Sequence, residues 1–387
     1  MALPLSYNTR NLIVRWKVTT LAVGAIALVV AVLVVLIAMA NGFRLALQAT
    51  GSVDNAVLTQ RGSNGELTSG IDLDDARAVV VDDRVARDEQ GNPIASPEIF
   101  VVASLPKRDT GTLVNVSLRG VTPAAFFVRQ GVRLIAGRSF ARGLNEIIIG
   151  KKAAARYAGV AVGDTVRMQR RDWLITGVFE ANGGGFESEL WGDLDVLAAA
   201  FQRRGGYQSL TLRLKDPASI AAFSAAIEKN PRLQAELVQE RKYYDDQSAQ
   251  VSGPLLALAV FVAIVMGVGA VFGAMNTMFA IVSARTREIG TLRALGFSRF
   301  AIMLSFVIES TLLALVGGIV GCLIAVPANG MSSAAGGANF AEVAFAFRIT
   351  TPVIVAAMGM ALAMGLAGGL LPAWRASRVP ITAALRS

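Results

Sequence analysis

Four long apolar runs dominate the hydrophobic pattern of the chain. They cover residues 18–40, 254–284, 300–326 and 349–374, and Glu309 is the one charged residue within them. An α-helix rises about 1.5 Å per residue, so about 20 apolar residues are enough to cross the hydrocarbon core of a bilayer. The pattern therefore predicts four transmembrane helices.

The first run has an alternative interpretation as a signal peptide. Ala38-Met39-Ala40 has the small-x-small form of a cleavage site. The apolar core, however, is longer than the roughly 7 to 15 residues of a signal peptide's hydrophobic region. We therefore expect this segment to be retained as a transmembrane helix.

The charge distribution predicts the orientation of the chain in the membrane. The net charge is +9, and the three flanking segments 1–17, 285–299 and 375–387 together hold ten basic residues and one acid. Because positively charged flanks stay in the cytoplasm, both termini are expected inside and residues 41–253 outside. The rest of the chain has no net charge, so the basic composition does not indicate a nucleic-acid-binding protein.

The composition narrows the chemistry that the chain can perform. Hydrophobic residues make up 53% of the 387 residues and charged residues only 17%, as is typical of a membrane protein. Histidine is absent and Cys322 is the single cysteine, which excludes His-based catalysis, His metal ligands and an internal disulfide. The acidic pairs Asp74-Asp75 and Asp245-Asp246 are sequence neighbours that point apart on a helix. We expect no catalytic residue and no bound metal.

The segment between the first two apolar runs, 41–253, is long enough for a folded domain with its own core. Short β-rich runs and amphipathic helical patterns alternate along it. The predicted fold class is a membrane α-helical protein with four transmembrane helices and a large α+β extracytoplasmic domain between the first and second. Within that domain, residues 119–204 are predicted to form an inserted lobe, and 327–348 is predicted to be a short loop on the same side.

A glycine-rich stretch of the outer domain, residues 182–191, reads NGGGFESELW. The simplest interpretation is a mobile surface loop. A phosphate-binding loop is not favoured, because no Gly-Lys-Ser/Thr ending follows the glycines. The remaining alternative is a contact with a periplasmic partner through exposed side chains of Phe186, Glu187, Glu189 and Trp191.

The segment 285–299, between the second and third runs, is predicted to be a short amphipathic helix. Its signals are three apolar residues at helical spacing, a Gly suited to a helix C-terminus and a Ser suited to cap the next helix: Ile289, Leu292, Leu295, Gly296 and Ser298. Arg287 and Thr291 share the other side. An ordinary charged loop would also fix the topology, but it would not need an apolar ridge facing the cytosol. We therefore expect the ridge to bind a partner.

Glu309 lies about ten residues past Arg299, so about 15 Å into the bilayer if its helix is straight. An ionised carboxylate costs about 2.5–3.5 kcal/mol at the centre of a membrane helix, so Glu309 should face protein or be protonated. A proton relay is possible, but no intramembrane partner is evident in the sequence. A structural hydrogen bond to a neighbouring helix is the favoured prediction.

Several motifs together resemble ABC-transporter permeases of the MacB, FtsX and LolC/LolE group. In the membrane region they are Arg287-Glu288-Ile289-Gly290, Leu292-Arg293-Ala294-Leu295-Gly296, Glu309-Ser310, Gly317-Gly318, residues 371–378 and Ala383-Ala384-Leu385-Arg386. In the outer domain they are residues 119–123, 136–138, 145–150 and 161–164. The resemblance spans nearly the whole chain and agrees with the topology predicted above.

The resemblance implies how the chain meets an ATPase. In that family, the segment between the second and third helices is the coupling helix that docks on the nucleotide-binding subunit. The corresponding residues here are Arg287, Glu288, Ile289, Leu292, Arg293, Leu295 and Gly296. The sequence contains no G-x-x-x-x-G-K-[ST] motif, and only about 17 residues precede the first helix. ATP and Mg²⁺ are therefore expected on a separate ABC ATPase subunit, and this chain is expected to be a non-catalytic subunit without a cofactor.

The resemblance also implies location, partners and cargo. The family's transporters lie in the bacterial inner membrane and contain two permease subunits, and we expect a dimer here; G-x-x-x-G motifs begin at Gly269, Gly317 and Gly365. Membrane lipids and a periplasmic adaptor are further expected partners. The expected activity is outward movement of lipid, lipoprotein or hydrophobic small molecules. The alternative is FtsX-like signalling, in which the outer domain activates a cell-wall hydrolase; a receptor or adhesin would leave 285–299 unexplained.

Overall fold

A computed structural model describes residues 16–337 and 340–379 of the chain. The α-helices are α1 (Trp16–Gln48), α2 (Leu73–Val80), α3 (Ala124–Val128), α4 (Lys151–Arg156), α5 (Leu194–Ala200), α6 (Ile220–Lys229), α7 (Glu240–Ala284), α8 (Thr286–Ala294), α9 (Arg299–Ala325) and α10 (Thr351–Ser377). The β-strands are β1 (Asn55–Gln60), β2 (Ile71–Asp72), β3 (Ala95–Pro106), β4 (Leu113–Val121), β5 (Val132–Gly137), β6 (Glu146–Gly150), β7 (Thr165–Met168), β8 (Arg171–Ala181), β9 (Leu190–Asp193), β10 (Gly206–Tyr207), β11 (Ser209–Arg213), β12 (Ala235–Gln239), β13 (Ser332–Gly337) and β14 (Phe340–Ala346). The predicted N-terminal segment up to residue 15 and the motif at 383–386 lie outside the described residues.

Among residues 16–337 and 340–379, four helices, α1, α7, α9 and α10, are long and apolar enough to cross a membrane, which confirms the four predicted transmembrane helices. Helices α1 and α7 are longer than their apolar runs, because regular helix continues to Gln48 in α1 and starts at Glu240 in α7. The short helix α8 lies between α7 and α9, inside the predicted range 285–299.

Small residues bring the membrane helices close together. The G-x-x-x-G motif that begins at Gly317 in α9 lies against α1, and the one that begins at Gly365 in α10 lies against α9. A side chain larger than hydrogen at these positions would collide with the neighbouring helix. The motif that begins at Gly269 in α7 differs. At both of its glycines, Gly269 and Gly273, no described atom of another helix lies within 4 Å of the position that a Cβ would occupy.

The residues between α1 and α7 form an α+β domain built on a ten-stranded sheet. Nine strands follow the order β12-β1-β11-β3-β4-β9-β6-β8-β5, and β7 pairs with β8. Most neighbours are antiparallel, whereas β4 with β9 and β6 with β8 are parallel. This mixed sheet confirms the predicted α+β class.

The described residues of this domain include two hydrophobic cores. One contains buried side chains from Ile99 to Leu197, including Trp173. The other combines residues 56–95 with residues 210–237, including Phe223. The first core begins about twenty residues before the predicted lobe at 119–204, because strand β3 supplies some of the side chains of this core. Strand β3 also pairs with both β11 and β4 and so joins the two parts of the sheet.

The predicted loop 327–348 contains a β-hairpin, β13–β14, which the sequence analysis missed. The hairpin belongs to the same compact unit as the α+β domain. The carboxylate of Glu342 lies 2.7 Å from Arg156 Nη2 and 3.4 Å from Lys107 Nζ. The Phe345 ring meets the Phe43 ring edge to face at 5.6 Å. These contacts hold the hairpin within that domain.

Candidate functional site

The turn from α8 into α9 is made by two local motifs that the sequence predicts. Gly296 adopts a left-handed φ of +94°, and the N–H of Phe297 donates to the carbonyl of Leu292 at 3.1 Å, as in a Schellman C-terminus. The Ser298 Oγ then accepts a hydrogen bond from the N–H of Ala301 at 3.1 Å and caps α9. The predicted C-terminal glycine of α8 and the predicted N-cap of α9 are both confirmed.

The predicted apolar ridge of α8 does not face outward as a unit. Ile289 is only 2% exposed and belongs to a buried cluster with Ile302 and Phe306 of α9. Leu292 is half-buried, whereas Leu295 is 71% exposed. The prediction that all three residues face outward is therefore wrong for Ile289, because helical periodicity identifies an apolar face without identifying what covers it. Docking of this segment on an ATPase stays a prediction.

The outward surface of α8 is mixed in character. Its exposed residues are Arg287, Glu288, Thr291, Ala294 and Leu295. Of the other residues predicted to meet an ATPase, Gly296 is exposed and Arg293 is half-buried. Leu295 is thus an exposed apolar side chain within a polar surface, at the end of the helix.

Glu309 has a partner that the sequence analysis did not identify. Its side chain is 2% exposed, and the Nη1 of Arg285 donates to its carboxylate at 3.0 Å. Arg285 also bonds Glu288 at 3.0 Å, and its guanidinium lies 5.2 Å from the centre of the Phe306 ring. The favoured prediction of a structural hydrogen bond to Glu309 is confirmed, and its donor is Arg285 at the junction of α7 and α8, which the sequence analysis placed in a cytoplasmic flank and did not recognise as buried.

A network of six buried charged side chains lies inside the α+β domain. Its members are Glu66, Glu98, Arg119, Arg129, Glu189 and Glu240. They come from six segments: the turn before β2, strands β3 and β4, the end of α3, the start of β9 and the first turn of α7. Because a buried charge is costly unless it is paired and hydrogen-bonded, these segments are tied to one arrangement.

Arg119 lies at the centre of this network. Its guanidinium donates to Glu66 at 2.6 and 2.9 Å, to Glu98 at 2.7 Å and to Glu189 at 2.8 and 2.9 Å. Burial raises the pKa of Glu66, but the charge and hydrogen bonds of Arg119 outweigh burial and hold that pKa below its ordinary value. The neighbouring carboxylates likewise raise the pKa of Arg119, although burial opposes them.

Arg129 extends the network to the start of α7. It bonds both carboxylate oxygens of Glu98, and its Nε donates to Glu240 at 3.2 Å. Its guanidinium lies 4.6 Å from the centre of the Phe186 ring. The first residue of α7 is therefore joined to strand β3 by a single side chain.

Asn182 and Gly183 are exposed, but residues 184–191 are buried, so the predictions of a surface loop and of an exposed partner contact are wrong for this part of the stretch. Phe186, Glu187, Glu189 and Trp191 are all less than 9% exposed. The Glu187 carboxylate accepts hydrogen bonds from the N–H groups of Ala181 and Gly183 at 3.0 and 2.8 Å. The stretch contains a 3₁₀ turn, and strand β9 begins within it. Its glycines allow a close approach of backbones.

These observations define the class of protein: a membrane protein with four candidate spanning helices and a large α+β domain between the first and the second. Residues 19–230, more than half of the chain, match the MacB-like periplasmic core domain. Residues 260–381 match the FtsX-like permease C-terminal region. The chain therefore belongs to the MacB/FtsX group of ABC-transporter permeases.

Curated relatives are similar at about 30% identity. The macrolide export ATP-binding/permease protein MacB of Pasteurella multocida is 29% identical over 75% of this chain and 46% of its own length. The protein of the same name from Brucella abortus is 31% identical over 59% of this chain and 36% of its own length. The chain thus spans less than half the length of these relatives. A solved structure of the periplasmic region of MacB from Actinobacillus actinomycetemcomitans is similar to this chain at a TM-score of 0.38 and a sequence identity of 13%. The alignment covers 53% of this chain and 96% of the solved chain.

Proposed function

We propose that this chain is the permease subunit of an ABC transporter, with α8 as its docking element for an ABC ATPase. The observation that carries the proposal is a short, separately capped helix between two candidate membrane spans, with Arg287, Glu288, Thr291 and Leu295 exposed. The bound ATPase would displace α8 during its ATP cycle. Helices α7 and α9 adjoin α8 in the chain and would carry that displacement across the membrane.

The proposed orientation places α8 and both termini in the cytoplasm and the α+β domain in the periplasm of a bacterial inner membrane. The positive net charge of the three flanking segments supports this orientation. ATP and Mg²⁺ would bind to the partner, because the sequence contains no phosphate-binding loop motif. The chain would then contribute no catalytic residue and no cofactor ligand.

The proposed activity is outward movement of amphipathic cargo, such as lipid, lipoprotein or a hydrophobic small molecule. The names of the relatives from Pasteurella multocida and Brucella abortus describe macrolide export, which supports a hydrophobic cargo. A second permease copy would complete the membrane unit, and the open face of α7 at Gly269 and Gly273 supports a helix contact there. A periplasmic adaptor would meet the α+β domain.

Transmembrane signalling is a second candidate function. The FtsX-like match over residues 260–381 supports it, since the same docking helix could relay ATP-driven movement to a periplasmic partner such as a cell-wall hydrolase. Transport and signalling share the docking step. They differ in whether cargo crosses the membrane or a bound hydrolase gains activity.

The docking step is tested with Leu295→Asp, because Leu295 is the large apolar side chain that α8 exposes most. The full chain is co-expressed with the ABC ATPase subunit encoded nearest to it. We expect co-purification of that subunit to be lost in Leu295→Asp. The matched control is Leu295→Met, which keeps an apolar side chain of similar volume and is expected to retain the ATPase. Equal recovery of the ATPase with both variants would contradict the docking role.

A further inference from the structure

Arg285 occupies the junction between α7 and α8. Its N–H donates to the carbonyl of Val282 at 3.1 Å, and its own carbonyl accepts from the N–H of Ile289 at 3.0 Å. The backbone of Arg285 therefore closes the last turn of α7 and begins the first turn of α8. Its position is fixed by both helices.

The side chain of Arg285 extends from this junction to α9. It is 5% exposed and is held by two carboxylates, Glu309 on α9 and Glu288 on α8, each at 3.0 Å. Phe306, one turn before Glu309, lies beneath the guanidinium. The cation thus bridges α8 and α9 through directional hydrogen bonds that have little access to water.

The turn of α9 that holds Glu309 is also the turn that packs on α10. The next residue, Ser310, fills the space where a side chain at Gly369 of α10 would stand. Ile289 of α8 belongs to the same buried cluster as Phe306 of α9 and Ala373 of α10. Helices α8, α9 and α10 therefore meet at the level of the ion pair.

An ion pair restricts movement in a way that an apolar contact does not. Two apolar surfaces can slide past each other with little change in buried area, whereas separating Arg285 from Glu309 would break a directional hydrogen bond between two buried charges. The pair therefore opposes any rotation or translation of α8 on α9 that is long enough to break it.

We propose that the Arg285–Glu309 ion pair is the positioning contact that makes α8 and α9 move as one body. The role of the ion pair in coupling rests on the proposed function. In that function, the pair would transmit a displacement of α8 to α9 and α10. Neither residue needs to touch the ATPase. The positioning itself can be measured without any partner.

The test uses the full chain in lipid nanodiscs, with spin labels on exposed positions of the two helices. The labels replace Thr291 of α8 and Ile319 of α9 in a Cys322→Ala background. Pulsed electron paramagnetic resonance gives the distribution of distances between them. We expect a narrow distribution for the parent chain and one about twofold broader for Arg285→Gln and Glu309→Gln, because each removes the charge-assisted contact between the guanidinium and the Glu309 carboxylate. Arg299→Gln, which alters an exposed arginine on α9, is the matched control and should stay narrow.

A double variant separates positioning from simple structural support. Arg285→Met with Glu309→Leu removes both buried charges, and the Glu288 side chain that also loses Arg285 is 56% exposed, so thermal unfolding should return to the parent value. The distance distribution should nevertheless stay about twofold broader, because the directional contact is gone. A parent-like distribution in a folded double variant would overturn the proposal, as would parent-like distributions in both single variants.

The outcome is separable from the docking test. The distance measurement contains no ATPase, so broadening supports the positioning role even if Leu295→Asp shows that α8 is not the docking element. Conversely, normal docking together with narrow distributions in all Arg285 and Glu309 variants would refute the positioning role alone.

Discussion

Replacing Arg129 by Met should destabilise the α+β domain more than the loss of an ordinary surface charge. The Arg129 side chain is 4% exposed and lies between Glu98 at 0% and Glu240 at 1%. Its Nη2 also donates to Thr211 Oγ1 at 2.9 Å. Met fills much of the same volume but leaves both carboxylates without this counterion.

The expected loss follows from the burial of the network. Removing one partner of a buried ion pair costs about 3–5 kcal/mol, a large part of the 5–15 kcal/mol that typically separates folded from unfolded domains. Arg119 still holds Glu98 at 2.7 Å, so the lower end of the range applies. For a domain of this size, about 3 kcal/mol corresponds to a fall in Tm of about 6–12 °C.

Tryptophan fluorescence is a suitable assay, because Trp173 and Trp191 are both fully buried in the domain. The matched control is Arg133→Met, since Arg133 is 76% exposed and pairs with Glu180 at the surface. Surface pairs of this kind contribute little to stability, so its Tm should be unchanged. If both variants melted at the same temperature as the parent chain, the reasoning about the buried network would be refuted.

Two further predictions concern acid stability and orientation. Arg119 lowers the folded-state pKa of Glu66, so this carboxylate stabilises the fold above the ordinary carboxyl pKa and loses that contribution as the pH falls through its folded-state pKa. The Tm of the domain should therefore fall between neutral pH and about pH 3. The fall should be less steep in Glu66→Gln, which lacks the titrating carboxyl. The topology test uses single cysteines in a Cys322→Ala background and a thiol reagent that does not cross membranes. Glu89→Cys should react in cells whose outer membrane alone is permeabilised, whereas Ser298→Cys should react only after the inner membrane is opened. The reverse pattern would invert the proposed topology.

The membrane architecture could be predicted from the sequence because its signals are local. About 20 consecutive uncharged residues specify a spanning helix wherever they occur. Gly296 and Ser298 are read from their positions next to a helical pattern, and both perform the predicted roles. Neither inference requires knowledge of what packs against the helix.

The errors share a different cause, which is an unrecognised partner distant in sequence. Ile289 is covered by α9 and Arg285 meets Glu309 twenty-four residues later, so neither the buried face of α8 nor the ion pair is visible in the local pattern. Arg119 lies in a strand, and its three carboxylates come from separate segments. Periodicity alone could not assemble them.

The glycine-rich stretch shows how composition can mislead. Glycine there suggested a mobile loop, but Gly185 lies against Thr50, and its N–H donates to the Thr50 hydroxyl at 2.6 Å. A side chain at Gly150 would collide with the backbone of Glu187. In this region glycine permits close packing of backbones, which sequence alone does not distinguish from flexibility.

The most direct test of the central claim is the affinity of the ABC ATPase encoded nearest to this chain for the full chain in nanodiscs. Burying Leu295 in an interface is worth about 1.5–3 kcal/mol, and a buried carboxylate in its place adds a penalty. The lost apolar burial alone should weaken the Kd of Leu295→Asp by about 13- to 160-fold, and the carboxylate penalty adds to this, while Leu295→Met stays close to the parent value. Binding of Leu295→Asp within about twofold of the parent chain, at equal incorporation into nanodiscs, would contradict the assignment of α8 as the docking element.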